Sequence, residues 1–170
     1  MKARKLPLNF SVMTDLILAT DAENEQRRAG GLPVKTTTIR AKRRANPPLP
    51  GVELHMYAGL RARAVRLLRI EECVEVEPVR FVSPGSVYNS WHVLVGERDY
   101  SWKEEETFLR EVAMPDGFDS VRSFFSFFTR AYRSSLDRTG FERIRWNPTD
   151  AGLEAARRYE TEYLLPNRRR

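Results

Sequence analysis

Apolar residues recur at helical spacing from Phe10 through Met13 to Ile17 and Leu18, predicting a helix to about Arg28 with Thr14 or Ser11 as a cap. Gly30-Gly31 stops that helix, and Leu32-Pro33-Val34 leads into Lys35-Thr36-Thr37-Thr38-Ile39-Arg40. Three β-branched hydroxyl residues and an Ile suit the pleat, so this run reads as a strand. Strict alternation puts Lys35, Thr37 and Ile39 on one side and Thr36, Thr38 and Arg40 on the other. The proline-rich stretch Asn46-Pro47-Pro48-Leu49-Pro50-Gly51 is a loop. Val52–Tyr57 then alternates as a half-buried strand, Ala62–Ile70 is open between strand and short helix, and Glu72–Val82 and Val87–Val95 alternate again.

The second half changes period. Thr107–Val112 is a short helical segment, Met114-Pro115-Asp116-Gly117 a loop, and Ser120–Ser135 a helix. Phe124, Phe125, Phe127, Phe128 and Tyr132 are too many aromatics for one exposed face, so most of them must pack on the sheet as core. Phe141–Trp146 closes the pattern as a strand, and Thr149 or Asp150 caps a last amphipathic helix reaching Tyr163. Strands mixed with a few helices, without regular βαβ spacing, predict an α+β fold around a curled sheet or small barrel.

Composition narrows the class. A chain of 170 residues with 41% hydrophobic content fits one folded domain. With 29 basic against 23 acidic residues the net charge is +6, which favours an anionic partner, nucleic acid above all. Cys73 is the only cysteine, so an intrachain disulfide and a cysteine-type zinc site are excluded and a cytoplasmic setting is expected. Acidic neighbours raise a thiol's pKa, so Cys73 is not expected to be a nucleophile. No apolar run is long enough for a membrane span, and no signal peptide is read in the basic start. His55 and His92 lack companion ligands at metal spacing, and no phosphate-binding glycine motif is present, so no metal or nucleotide cofactor is expected.

Taken in order, four pieces resemble the ASCH domain, a small β-barrel family related in fold to the PUA domains of RNA-binding proteins. They are Lys35-Thr-Thr-Thr38-Ile-Arg40, Pro50-Gly51 through Gly59-Leu60-Arg61, Val112-Ala113 through Asp116-Gly117-Phe118, and Phe141 through Trp146. The resemblance covers residues 10–147, leaving 1–9 as a basic arm and 148–170 as a C-terminal helix ending in a basic tail. It implies a PUA-like/ASCH β-barrel with flanking helices that binds RNA or a modified nucleoside in a basic cleft.

Some ASCH members resemble amidohydrolases that deacetylate N4-acetylcytidine with a Lys, a Thr and an acid, and others are suspected ribonucleases. Matched by position, those residues are Lys35, Thr38 and Asp116, with Arg40 two places after the threonine. The resemblance then makes Thr38 the nucleophile, Lys35 its activator and Asp116 the group that orients Lys35 or relays a proton. Two departures stand out: Pro33 replaces a glycine before the lysine, and Asp116 replaces the usual glutamate, which shortens its reach by one methylene.

On the binding reading, Lys35, Arg40, Lys42, Arg43, Arg44, Arg61 and Arg63 line a positive surface, and Tyr57, Tyr88 and Trp91 are candidates to stack on a base. Core or strand-pair roles for Tyr88 and Trp91 are the alternative. Binding of RNA or a nucleoside is therefore the first expectation and hydrolysis the second. A module whose basic face meets an acidic protein is the third.

Overall fold

The structure, a computed structural model, describes residues 5–10, 13–42, 47–59, 65–82, 91–132 and 135–164. Helices and two sheets make an α+β fold. The strands are β1 Lys5–Asn9, β2 Thr37–Ala41, β3 Glu53–Ala58, β4 Arg66–Glu72, β5 Glu75–Val82, β6 His92–Val95, β7 Arg98–Ser101 and β8 Phe141–Arg145. The helices are α1 Thr14–Leu18, α2 Asp21–Ala29, α3 Glu105–Phe108, α4 Val121–Tyr132 and α5 Asp150–Tyr159.

One sheet runs β1-β3-β4, with β1 parallel to β3, and the other runs β2-β8-β5-β6-β7 with antiparallel neighbours throughout. A closed barrel was the expectation, and here the structure differs: among the described residues neither sheet closes. The reason lies at Cys73–Val74. The Cys73 N–H donates to Val52 O beside β3, whereas the next N–H, that of Val74, donates to Arg145 O of β8. The chain thus changes sheets between two consecutive residues instead of carrying one ladder around.

Strand β8 is covered on both faces. Phe141 joins the core beneath the helices with Phe81, Phe108, Phe124, Phe125 and Phe128, while Ile144 and the following Trp146 join Leu6, Leu8, Leu54 and Met56 of the three-stranded sheet. The aromatic helix is α4, and its buried positions Val121, Phe124, Phe125 and Phe128 follow the helical period as expected.

Two local readings need correction. Residues 5–9, expected as an arm, form β1, whose Leu6 and Leu8 are buried against β3. Pro7 is tolerated there because β1 is an edge strand. The single helix expected over 10–28 is two helices, because Thr20 starts a second one. Its side chain accepts from the Glu23 N–H while the Glu23 carboxylate accepts from the Thr20 N–H, a complete capping box. The ambiguous stretch before Ile70 contains β4, and β7 is a strand that the periodicity did not reveal.

Candidate active site

Strand β2 starts at Thr37, so Lys35 and Thr36 precede its ladder. The N–H groups of Thr36 and Thr37 both donate to Pro115 O, at 2.9 and 3.0 Å. On the other side, the Trp146 N–H donates to Thr36 O. The start of β2 is therefore clamped between the closing strand and the 114–117 turn. That turn follows α3 through a π-helical segment, Leu109–Ala113, whose end is marked by the Met114 N–H donating to Leu109 O. This geometry brings Asp116 to Lys35 across 81 positions of sequence.

Lys35 and Asp116 are 4% and 3% exposed. The ammonium donates to Asp116 Oδ1 at 2.5 Å and also to the Asp116 backbone carbonyl. A third neighbour is the Phe10 ring, whose centroid lies 5.8 Å from Lys35 Nζ. Burial pushes the Lys35 ammonium below its ordinary pKa; the Asp116 charge opposes that shift and Arg40 adds to it. Burial likewise pushes the Asp116 carboxyl up, against the pull of Lys35, the Ile39 backbone N–H and Arg143. Both shifts run in the direction of a neutral pair, and the two groups share a direct hydrogen bond.

The pair lies in the wall of a cleft of about 180 Å³, with Thr38 and Arg40 of β2 lining the same space. Aromatic and apolar residues complete it: Phe10, Met13, Ile39, Phe118, Phe127, Ala131 and Tyr132. Met13 sits in the left-handed region at φ 62°, an unfavourable conformation for a side chain of this size.

Gly117 lets these parts close up. Its φ is +94°, and a Cβ there would lie 2.7 Å from Met13 Sδ and 3.2 Å from Lys35 Cδ. Gly117→Ala is expected to cost about 1–3 kcal/mol in urea unfolding, because it combines backbone strain with a clash against Met13. Unchanged stability would mean that the turn has another accessible conformation.

The sequence-predicted set divides cleanly. Lys35, Thr38, Asp116 and Arg40 come together in the cleft. Lys42 is exposed just past β2, its N–H donating to Gly140 O. Tyr57 belongs to the three-stranded sheet, half-buried, with its hydroxyl 3.5 Å from His55 Nδ1, and it does not line this cleft. Trp91 is a correction: it is buried, with Phe108 and Phe125 at 4.8 and 5.0 Å between ring centroids, so its faces are taken by the core and not offered to a base. Arg43, Arg44, Arg61, Arg63 and Tyr88 lie outside the described residues.

Sequence reasoning missed Phe10, Met13, Phe127 and Tyr132 as cleft residues. The usable signal was the surplus of aromatics on α4, more than one buried stripe can absorb. Cys73 is buried and hydrogen-bonded to Glu75 O, and burial raises its thiol pKa, in keeping with an unreactive side chain. Among the described residues no group of His, Cys, Asp and Glu could hold a metal ion, and no helix is long and apolar enough to cross a membrane. No protein-family model, no curated protein and no solved structure matches this chain.

Proposed function

We propose that the chain is an ASCH-like hydrolase that cleaves the amide of a small acylated base or nucleoside, of the N4-acetylcytidine type. The observation that carries this reading is the buried Lys35–Asp116 pair set in one narrow cleft with the Thr38 hydroxyl. A lysine kept for phosphate contact would stand at the surface; this one is enclosed. The cleft is also smaller than the roughly 300–1,000 Å³ of pockets for drug-sized ligands, and so favours one ring over a polymer segment.

The chemistry follows from the pair. Asp116 takes a proton from Lys35, leaving a neutral amine that accepts the Thr38 hydroxyl proton. Thr38 Oγ1 bonds to the acyl carbon, and the Arg40 guanidinium stabilises the oxyanion. The C–N bond breaks as Lys35 returns its proton to the leaving amine, and water then hydrolyses the threonyl ester. Asp116 needs no longer reach than it has, because its partner is Lys35 and not the substrate.

The test is N4-acetylcytidine turnover by the wild type, Thr38→Ala and Thr38→Ser. Activity should fall at least about 100-fold in Thr38→Ala and be partly restored by serine. Equal activity in all three would remove Thr38 from the reaction. A second reading, RNA binding, draws on Arg40 in the cleft, exposed Lys42 nearby and the +6 charge. It predicts no turnover and copurifying RNA that salt strips away.

A further inference from the structure

Helix α4 treats its four phenylalanines unequally. Phe124, Phe125 and Phe128 are buried among Phe81, Phe108 and Phe118, whereas Phe127 is 42% exposed and lines the cleft beside Ala131 and Tyr132. Its ring is nevertheless braced. Phe128 meets it at 5.3 Å and 85°, and Phe118 at 5.6 Å and 53°. A large ring held by two buried neighbours and left uncovered over a polar site is placed to meet a flat ligand. The polar groups of the cleft come from residues 35–40 and Asp116, and the rings from α4, Phe118 and Phe10.

We infer that Phe127 is the surface on which the planar ring of the substrate stacks, and hence the residue that selects acylated aromatic amines over aliphatic amides. This rests on the hydrolase reading for its substrate but on separate residues for its evidence. Stacking is tolerant of which base is bound, so Phe127 sets the ring class and not the identity of the ring substituents.

The experiment compares the wild type, Phe127→Ala, Phe127→Leu and Phe127→Tyr on two probes, N4-acetylcytosine and N-methylacetamide. Phe127→Ala should raise KM for acetylcytosine about tenfold with kcat nearly unchanged. Tyrosine should restore it and leucine only partly, while KM for N-methylacetamide should change much less than KM for acetylcytosine in each variant. An equal loss on both probes, or an unchanged KM for acetylcytosine, overturns the proposal. If the wild type hydrolyses neither probe, the hydrolase reading fails, and cytosine binding followed by NMR titration decides the stacking alone. About tenfold weaker binding in Phe127→Ala then supports it; equal affinity, or no binding to the wild type, overturns it.

Discussion

Lys35→Met and Asp116→Leu, each made alone, should lose roughly 3–5 kcal/mol of stability at neutral pH, and the double variant should recover most of that loss. The single changes are costly because each strands a buried charge. With Lys35 gone, Asp116 loses the ammonium that stabilises its carboxylate, and burial raises its pKa further. The folded state then holds a proton that the unfolded chain releases above about pH 4, so Lys35→Met is most stable in acid and weakens as pH rises. Asp116→Leu has the opposite sign. Lys35 without its partner is pushed lower still, so the folded state sheds a proton that the unfolded chain keeps up to about pH 10.4. Its deficit is greatest in acid and shrinks as pH rises toward the ordinary lysine range.

Urea unfolding at about pH 5, 7 and 9 reads both slopes. Two single variants with slopes of the same sign would contradict the pairing. The double variant, apolar at both positions, strands the Asp116 carbonyl that Lys35 had engaged and the Ile39 N–H that had donated to the carboxylate. A double variant near wild-type stability and devoid of turnover would show that the pair is retained for chemistry. Buried ion pairs contribute little net stability compared with apolar replacements of similar size.

Why the sequence revealed this pair and not the whole cleft is a matter of range. Lys35, Thr38 and Arg40 lie within six positions, and a β-branched run announces the strand that carries them. Asp116 was reachable only through the ASCH resemblance, since nothing local in Met114-Pro115-Asp116-Gly117 says which strand the turn meets. That is decided by the Thr36 and Thr37 N–H groups converging on Pro115 O. Which of Trp91 and Phe127 would face the core stayed open for a related reason. Periodicity says that an aromatic lies on a strand or helix but not which neighbours cover it, so Trp91 went to the core and Phe127 to the cleft. Strand β1 was hidden because Lys5-Leu6-Pro7-Leu8 is short and carries a proline, and its place depends on a distant parallel partner. The break between α1 and α2 was legible in Thr20-Asp21-Ala22-Glu23 as an N-cap followed by Glu three residues on, and was simply overridden by the apolar spacing. Closure of the sheets is a property of how strands change partners, and alternation along each strand carries no record of it.

Arg69→Leu should be as destabilising, by roughly 3–5 kcal/mol, yet here the double variant with Glu71→Leu should recover little. Arg69 is 1% exposed, and its guanidinium serves four acceptors from three parts of the chain. Nε donates to Ile17 O at 2.8 Å, one terminal nitrogen to Glu71 Oε1 at 2.9 Å and Thr149 O at 3.0 Å, and the other to Ala19 O at 2.6 Å. Glu71 in turn accepts the Thr149 N–H at 2.7 Å, at the N-cap of α5. Burial raises the Glu71 pKa, and the Thr149 N–H and Arg69 hold against it. Deleting Arg69 therefore takes the counter-charge from a buried carboxylate, leaves Ile17 O without its donor, and leaves Ala19 O with only the Asn24 amide at 3.4 Å. Removing Glu71 as well relieves the carboxylate but takes the acceptor from the Thr149 N–H, and Ile17 O remains without a donor. Arg69→Lys keeps the charge but not the planar fork, and should lose about 1–3 kcal/mol. The contrast with Lys35 and Asp116 is chemical: that pair chiefly satisfies itself, whereas Arg69 joins β4 to α1 and α5. Because α1 begins just after Met13 in the cleft wall, loosening its far end should also disturb the cleft in whatever fraction stays folded. Chemical denaturation of the two single variants and the double variant measures the difference, and full recovery in Arg69→Leu/Glu71→Leu would mean that the carbonyls of Ile17 and Ala19 find water instead.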